Sequence, residues 1–243
     1  MARCDDLWTE GLKTLPTKPP DTAAGGLKKN WTEKVSAVIA MACGQELRAR
    51  NLKEALPAPP GTAGKSGAER RMAGGIGAKQ VDVTWATEES GLILAISVKT
   101  ISFRDERSKN FQKNLTNRRG DMLFESVTLH RRFPYATLGG FFILDKEAAN
   151  DGTDRRRSTF ENAHQRFTLF TGRDDPSGRD EQYERLWIVL LDANPFKPSY
   201  EVYAVPNSTK PVELEAAFDE LVGIVPDRNP DFYENRNGSL RKL

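Results

Sequence analysis

The sequence predicts an α/β fold in which helices flank a central mixed β-sheet. Two observations lead to this prediction. Apolar residues recur at helical spacing in some segments, whereas they alternate or run continuously in others. The two kinds of segment follow each other in the order helix, hairpin, helix, strand, helix, strand, strand, helix. Of the 243 residues, 38% are hydrophobic and 29% are charged, a composition that can form a packed core.

The domain organisation follows from a change in composition near residue 30. Residues 1–29 are rich in Pro, Gly, Thr and Lys, which predicts a weakly ordered N-terminal arm with a short helical turn around residues 7–15. Residues 30–243 are predicted to form a single domain. Residues 30–145 contain the motif described below. Residues 146–243 are expected to extend the sheet, to carry target recognition or to form a dimer contact.

The first predicted helix begins at Asn30, which can cap it, as can Thr32, and it runs to about Arg50. Its apolar residues have helical spacing: Val35, Val38, Ile39 and Ala42. Residues 57–77 are predicted to form a loop, in which the glycines at 74, 75 and 77 form a turn. A close approach to a DNA backbone is the alternative. Nucleotide binding is disfavoured, because these glycines precede a strand, whereas a dinucleotide fingerprint follows one.

Residues 80–86 and 92–99 alternate in polarity around a turn at 87–91, which predicts a β-hairpin. Opposite residues of an antiparallel pair project to the same face. A turn closed at Glu89 and Ser90 places Asp82 opposite Ser97 and diagonal to Lys99. The other face is predicted to be apolar: Val81, Val83 and Trp85 on the first strand, and Leu94, Ile96 and Val98 on the second.

The later elements are predicted from the same patterns, with charged or polar loops at 145–157 and 172–182 and a polar tail after Pro226. The predicted elements are a helix over about 111–132 interrupted by Gly120, a buried strand over 138–144, a helix over about 159–171 capped by Ser158 or Thr159, a buried strand over 186–191, an alternating strand over 200–205 and a helix opened by Pro211.

An acid and a lysine on one face of a hairpin are groups that phosphodiester hydrolysis can use. An aspartate on a strand offers a hard oxygen ligand to a divalent metal ion. A lysine beside it can orient or activate the attacking water, or stabilise charge in the transition state. The alternative is an ordinary ion pair across two strands at the surface.

Asp82, followed after the hairpin turn by Ser97, Val98 and Lys99, resembles the metal-binding half of the PD-(D/E)XK motif of restriction-endonuclease-like nucleases. The order of elements over residues 30–145 is also similar. The resemblance implies a restriction-endonuclease-like core with Asp82 and Lys99 in its catalytic centre. It further implies Mg²⁺, with Mn²⁺ as a substitute, and double-stranded DNA as substrate.

The chain departs from the motif at two positions. Val81 stands where the motif has proline, a position that varies in the superfamily. Ser97 stands where an acid is expected, and serine is a poor metal ligand. The arrangement resembles a subgroup with Ser-x-Lys, in which the acid lies on the following helix.

That resemblance implies Glu125 or Asp121 as the relocated acid, although the spacing from Lys99 is longer than usual. The two residues are four apart and share a helix face. Glu125 is preferred, because Gly120 is expected to disturb the helix near Asp121; a solvated helix face is the alternative for both. Glu33 resembles the first-helix glutamate that many of these nucleases add to the metal shell, although an acid in a first turn is also favoured by the helix dipole.

Several polar and basic residues are predicted to contact DNA. Lys79 and Gln80 lie beside the site in sequence, and others open the long helix: Asn114, Asn117, Arg118 and Arg119. Basic runs at 118–119, 130–132 and 155–157 could together form a groove facing phosphates. Each run alone is more typical of a solvated surface. His130 is a candidate base, but a core or capping histidine is favoured.

The rest of the composition excludes several classes of protein. The two cysteines, Cys4 and Cys43, do not form a disulfide framework, and with only His130 and His164 they do not have the spacing of a zinc site. No apolar run is long enough for a membrane span, and the N-terminus has no signal peptide pattern. A cytoplasmic protein is therefore expected. The nuclease resemblance implies a role in restriction or related defence, as a homodimer; the alternative is a catalytically inactive DNA-binding or assembly subunit of the same fold.

Overall fold

The computed structural model describes residues 2–62, 70–207 and 209–243. Its α-helices are α1 (Arg3–Lys13), α2 (Gly25–Ala49), α3 (Leu115–His130), α4 (Thr159–Phe167) and α5 (Leu214–Arg228). Its strands are β1 (Arg70–Ala73), β2 (Ala78–Val81), β3 (Val83–Thr87), β4 (Gly91–Ile101), β5 (Thr137–Asp145), β6 (Arg185–Asp192), β7 (Ser199–Ala204), β8 (Tyr233–Arg236) and β9 (Ser239–Lys242). Among the described helices, none combines the length and apolar composition that a membrane crossing needs.

The predicted α/β class and the central mixed sheet are confirmed. Five strands lie in the order β3, β4, β5, β6, β7. The two inner pairs, β4–β5 and β5–β6, are parallel, and the two outer pairs are antiparallel. Helices α1, α2 and α5 contribute to the apolar core on one face of this sheet, while α3 and α4 contribute to the core on the other.

The β3–β4 hairpin has the predicted register beside Asp82, although its turn differs from the predicted one. Thr87 pairs with Gly91 around a longer turn, and a β-bulge then restores the register, so that Val83 pairs with Ile96. One prediction about the faces is wrong. Val81 belongs to the core on the α3 side, whereas Val83 belongs to the core on the α2 side, because the chain bends at Asp82 between β2 and β3.

The N-terminal segment is not the weakly ordered arm that its composition predicts. Helix α1 buries Trp8 and Leu12 completely. The indole ring of Trp8 lies 5.2 Å from the ring of Phe141 on β5, and the Tyr200 hydroxyl on β7 donates a 2.7 Å hydrogen bond to Asp5. The segment is therefore part of the core, and residues far away in sequence hold it there.

Helix α2 begins at Gly25, earlier than predicted, so Asn30 and Thr32 lie inside it and cap nothing. The Thr32 hydroxyl instead donates to the carbonyl of Lys28. Residues 52–56 do not extend α2; Leu56 forms an isolated β-bridge with Thr84 of β3.

The predicted long helix consists of one 3-10 turn (Gln112–Asn114) followed by α3, which ends at His130. Gly120 does not interrupt it. No neighbouring side chain lies within contact distance of Gly120, and one exposed glycine costs a helix only about 1 kcal/mol. The predicted cap of α4 is confirmed, since Ser158 and Glu161 form a reciprocal capping box. Helix α4 ends at Phe167, where a 3-10 turn begins.

Two segments predicted as loop or tail contain strands. Strands β1 and β2 form a hairpin around the predicted glycine turn, and β8 and β9 form another after α5. The glycine turn rests on α3: the Gly75 N–H donates a 2.8 Å hydrogen bond to the Thr128 carbonyl. A Cβ atom on Gly74 would lie 2.3 Å from that same carbonyl oxygen, so only glycine permits this contact. Residues 63–69 of the predicted loop lie outside the described residues.

Candidate active site

The candidate site lies where β4 extends beyond its neighbour β3. Because Val83 pairs with Ile96, residues 97–101 of β4 continue past the start of β3. The N–H of Val98 on this stretch donates a 2.7 Å hydrogen bond to Oδ2 of Asp82. The carboxylate thus satisfies a backbone donor that a longer β3 would otherwise have paired, and this contact fixes its position.

Lys99 lies between two carboxylates. Its Nζ is 2.7 Å from Oδ2 of Asp82 and 3.4 Å from Oε2 of Glu125. The side chains of Lys99 and Asp82 are each 12% exposed, and that of Glu125 is 1% exposed. This is not an ordinary surface ion pair, because three charged groups are removed from most of their water.

Burial and charge act against each other in this trio. Burial alone would lower the pKa of Lys99, but the carboxylates of Glu125 and Asp82 outweigh it and raise that pKa. Burial raises the pKa of Glu125, and the negative charge of Asp82 raises it further, while Lys99 opposes both. The lysine is therefore held as an ammonium. The charged form of Glu125 is disfavoured by its burial.

Two buried polar groups lie beside Lys99, the hydroxyl of Ser97 and the carboxylate of Glu125. The hydroxyl interacts with this carboxylate and with the Tyr183 hydroxyl, and the Lys99 ammonium lies 3.4 Å from Oε2 of Glu125. The buried carboxylate thus has a hydroxyl and an ammonium as its neighbours.

An open cleft of about 340 Å³ leads to Asp82 and Lys99. Most of the predicted metal-binding and DNA-binding residues line it, although they lie on four different elements. The lining residues are Thr32, Glu33, Ser36, Lys79, Gln80, Asp82, Val98, Lys99, Thr100, Arg118 and Asp121. Glu125 does not line the cleft but contacts Lys99 at its edge.

The two further acids predicted as metal ligands face cations in the cleft wall. Glu33 lies 3.7 Å from Lys29, and Asp121 lies 3.5 Å from Arg118. Both are largely exposed, in contrast to Glu125. Of the two candidates for the relocated acid, the structure thus places Glu125 next to Lys99 and Asp121 at the opening.

Three of the predicted DNA-binding residues do not line this cleft: Asn114, Asn117 and Arg119. Asn114 precedes α3 without capping it through its side chain, and the guanidinium of Arg119 lies over the ring of Phe170. Of the four predicted DNA-binding residues at the start of α3, only Arg118 lines the cleft.

His130, the minor candidate for a base, lies at the C-terminal end of α3, more than one helical turn beyond Glu125. It is buried and contacts the carboxylate of Glu184 at 3.3 Å. Arg173 and Arg228 contact the same carboxylate, at 3.1 Å and 3.3 Å. The favoured prediction of a core histidine is confirmed.

Sequence reasoning missed the hydroxyl groups in the cleft. The Ser36 and Thr100 hydroxyls lie 2.8 Å apart and tie α2 to β4. Ser36 follows Glu33 by one helical turn, and Thr100 follows Lys99 directly. Their spacing from these two predicted site residues could have identified them as neighbours of the site.

The oxygen atoms present fit a small hard cation. Among the described residues, no three Asp, Glu, His or Cys side chains converge into a ready metal cage. Mg²⁺ does not require one, since it retains several water ligands and is commonly held by one or two carboxylates together with substrate phosphate. Asp82 and Glu125 are the two carboxylates that lie together, both in contact with Lys99, and the Ser97 hydroxyl lies beside Glu125.

Searches against protein-family models, curated proteins and solved structures find no match to this chain.

Proposed function

We propose that this chain is a Mg²⁺-dependent endonuclease that hydrolyses phosphodiester bonds in double-stranded DNA. One observation carries the proposal: Lys99 lies buried between Asp82 and Glu125 at an open cleft on a sheet edge. The resemblance of Asp82, Ser97 and Lys99 to the PD-(D/E)XK motif, in the Ser-x-Lys form, supports it. The mixed sheet flanked by helices is compatible with a restriction-endonuclease-like core.

In this proposal Asp82 and Glu125 hold the metal ion, and Glu33 and Asp121 in the cleft wall are the further candidates. Bound Mg²⁺ would supply positive charge at the scissile phosphate. Lys99 donates a hydrogen bond to the attacking water or to a phosphate oxygen and stabilises the negative charge that develops there. Water forms the new bond to phosphorus, and the ester oxygen leaves with a proton.

The cleft wall would bind the DNA backbone. Lys79 and Arg118 offer positive charge to phosphates, and Gln80 offers an amide. We further propose a role in restriction or related defence, in the cytoplasm, with Mn²⁺ as a possible substitute metal. A homodimer is part of this proposal, because two sites can cut the two strands of a duplex.

The test is cleavage of supercoiled plasmid DNA in the presence of Mg²⁺. Asp82→Ala and Lys99→Ala should each abolish cleavage, while circular dichroism shows that the fold persists. Lys242→Ala is the matched control, since it removes an exposed lysine that also pairs with a carboxylate, Glu89, in another part of the fold. Full activity in either site variant would refute the proposal.

A second function is favoured by a specific observation. Ser97 stands where the motif has an acid, and no three acids form a metal cage in the described part of the chain. A catalytically inactive DNA-binding or assembly subunit would have these features. Calorimetry with Mn²⁺ or Ca²⁺ separates the two functions: saturable binding that Asp82→Asn removes supports the enzyme, and its absence in the wild-type protein supports the inactive subunit.

A further inference from the structure

The structure divides the three basic runs of the sequence between the two ends of α3. This helix has 16 residues and is therefore about 24 Å long. Residues 118–119 lie near its N-terminal end. Arg131 and Arg132 follow its C-terminal end, where Arg131 contacts Asp180 and Arg132 lies over the ring of Phe133. The run at 130–132 therefore does not belong to the same surface as the run at 118–119.

The third run, at 155–157, joins the first. It lies in the loop before α4, and this loop contacts the start of α3: the Gln112 amide donates to the Arg157 carbonyl at 3.3 Å. Helix α4 contacts α3 as well, since Arg166 donates to the Thr116 hydroxyl at 3.2 Å. Arg119 lies over Phe170, in the 3-10 turn that follows α4. Four arginines thus belong to α3 and to the two segments that contact its start: Arg119 on α3, Arg155 and Arg157 in the loop, and Arg166 on α4.

The partners of these arginines are mostly neutral, which leaves their charge available. Arg157 donates to the amide oxygen of Gln165, Arg166 to a hydroxyl, and Arg119 lies over a ring. The loop borders a shallow depression that is largely open to solvent. Two acids line this depression, Asp154 and Glu161, but the Glu161 carboxylate is held by Ser158.

The loop is also firmly supported. The carboxylate of Asp151 accepts hydrogen bonds from the N–H of Phe111 at 3.0 Å and from the N–H of Thr159 at 2.6 Å. It thereby joins the segment before α3 to the first residue of α4. A supported loop holds its arginines in place before binding. A ligand with regularly spaced charges then binds without the cost of ordering the loop.

We propose that Arg155, Arg157 and Arg166 form a phosphate-contacting track that binds double-stranded DNA beyond the cleavage cleft. The inference rests on the proposed function and extends it. Arg118 in the cleft wall and Arg119 beside Phe170 are adjacent in sequence, so α3 connects the cleft to the track. The track would position the duplex without reading its bases, since arginine contacts to phosphate carry no sequence information directly.

The experiment measures binding of a labelled DNA duplex in EDTA, at potassium concentrations from about 50 to 200 mM. The track variant is Arg155→Gln with Arg157→Gln. The control variant is Arg236→Gln with Arg241→Gln. It also removes two positive charges, but from the β8–β9 hairpin, which packs against the opposite face of the sheet. A parallel assay measures single-turnover plasmid cleavage in Mg²⁺ with enzyme in excess.

The track variant should bind more weakly, and its plot of log affinity against log salt should be less steep by about 0.9 for each lost phosphate contact, and so by about 1.8 for the pair. The control variant should bind as the wild type does. Unchanged affinity and slope in the track variant, with a wild-type protein that cleaves, would overturn the track and leave the nuclease proposal intact. A wild-type protein that neither binds nor cleaves DNA would overturn both.

Discussion

Glu125 and Asp121 lie four residues apart on one helix, but they have different surroundings. Glu125 is buried against Lys99, whereas Asp121 lies at the cleft opening and pairs with Arg118. We therefore expect Glu125→Gln to lower cleavage by roughly 100-fold or more, the scale of losing one fixed electrostatic contact to the transition state. Asp121→Asn should lower cleavage by less than about tenfold, the lower end for residues that only support a metal site. Single-turnover plasmid cleavage measures both. If the Asp121 variant loses more cleavage activity than the Glu125 variant, then Asp121 is the acid at the catalytic centre and Glu125 only supports it.

Ser97 gives a second prediction at this scale. Its buried hydroxyl interacts with the Glu125 carboxylate and with the Tyr183 hydroxyl. Ser97→Ala should therefore lower the free energy of unfolding by about 1 kcal/mol, the usual contribution of one hydrogen bond. Urea denaturation without metal measures the change.

The comparison variant for Ser97 is Tyr183→Phe. The buried Tyr183 hydroxyl donates a 3.1 Å hydrogen bond to the Met122 carbonyl, and its removal should also cost about 1 kcal/mol. A Ser97 variant that is as stable as the wild type, beside a destabilised Tyr183 variant, would show that the serine hydroxyl contributes no hydrogen bond.

Helix α1 shows how a whole element contributes to the core. Trp8 is fully buried against Phe141 and Tyr200 of the central sheet. Trp8→Ala should therefore lower the free energy of unfolding by about 3–5 kcal/mol, as for other large residues removed from a core. Leu27→Ala, at a side chain that is 61% exposed, is the control and should change it by less than about 0.5 kcal/mol. A Trp8 variant that is as stable as the control would mean that α1 is dispensable.

The elements also show what the sequence could and could not predict. Alternation with period two predicted the hairpin and placed Asp82 opposite Ser97, because the β-bulge corrects the register that the longer turn shifts. Helix α1 was predicted only as a short turn in a weakly ordered arm, because the partners of Trp8 lie on strands more than a hundred residues later and local composition does not contain that information. Glu125 and Asp121 could not be separated by spacing, since burial by the rest of the fold distinguishes them.

At the scale of the whole molecule, stability should depend on pH through His164. Burial lowers its pKa to about 4, from an ordinary value near 6.5. The folded state thus favours the neutral imidazole, while the unfolded chain binds a proton below pH 6.5. This contribution is fully present above about pH 6.5 and is lost as pH falls towards 4.

We expect the free energy of unfolding to fall by roughly 1–2 kcal/mol from this residue alone between about pH 7 and 5. Chemical denaturation across this range measures it. His164→Gln removes the titrating group, so its stability should change less over the same range, whatever its absolute value. If the free energy of unfolding depends on pH equally in the variant and the wild type, the dependence comes from other titrating groups.

The hydrogen bond between Gly75 and Thr128 has a consequence for the geometry of the candidate site. Asp82 follows Gly75 through the short strand β2, and Glu125 precedes Thr128 by less than one helical turn. Together with the contacts of Lys99 to both acids, the bond closes a small circuit that contains both carboxylates. Their separation is set by this local tether as well as by the sheet, so a side chain added at Gly74 or Gly75 could misalign the two acids without touching either of them.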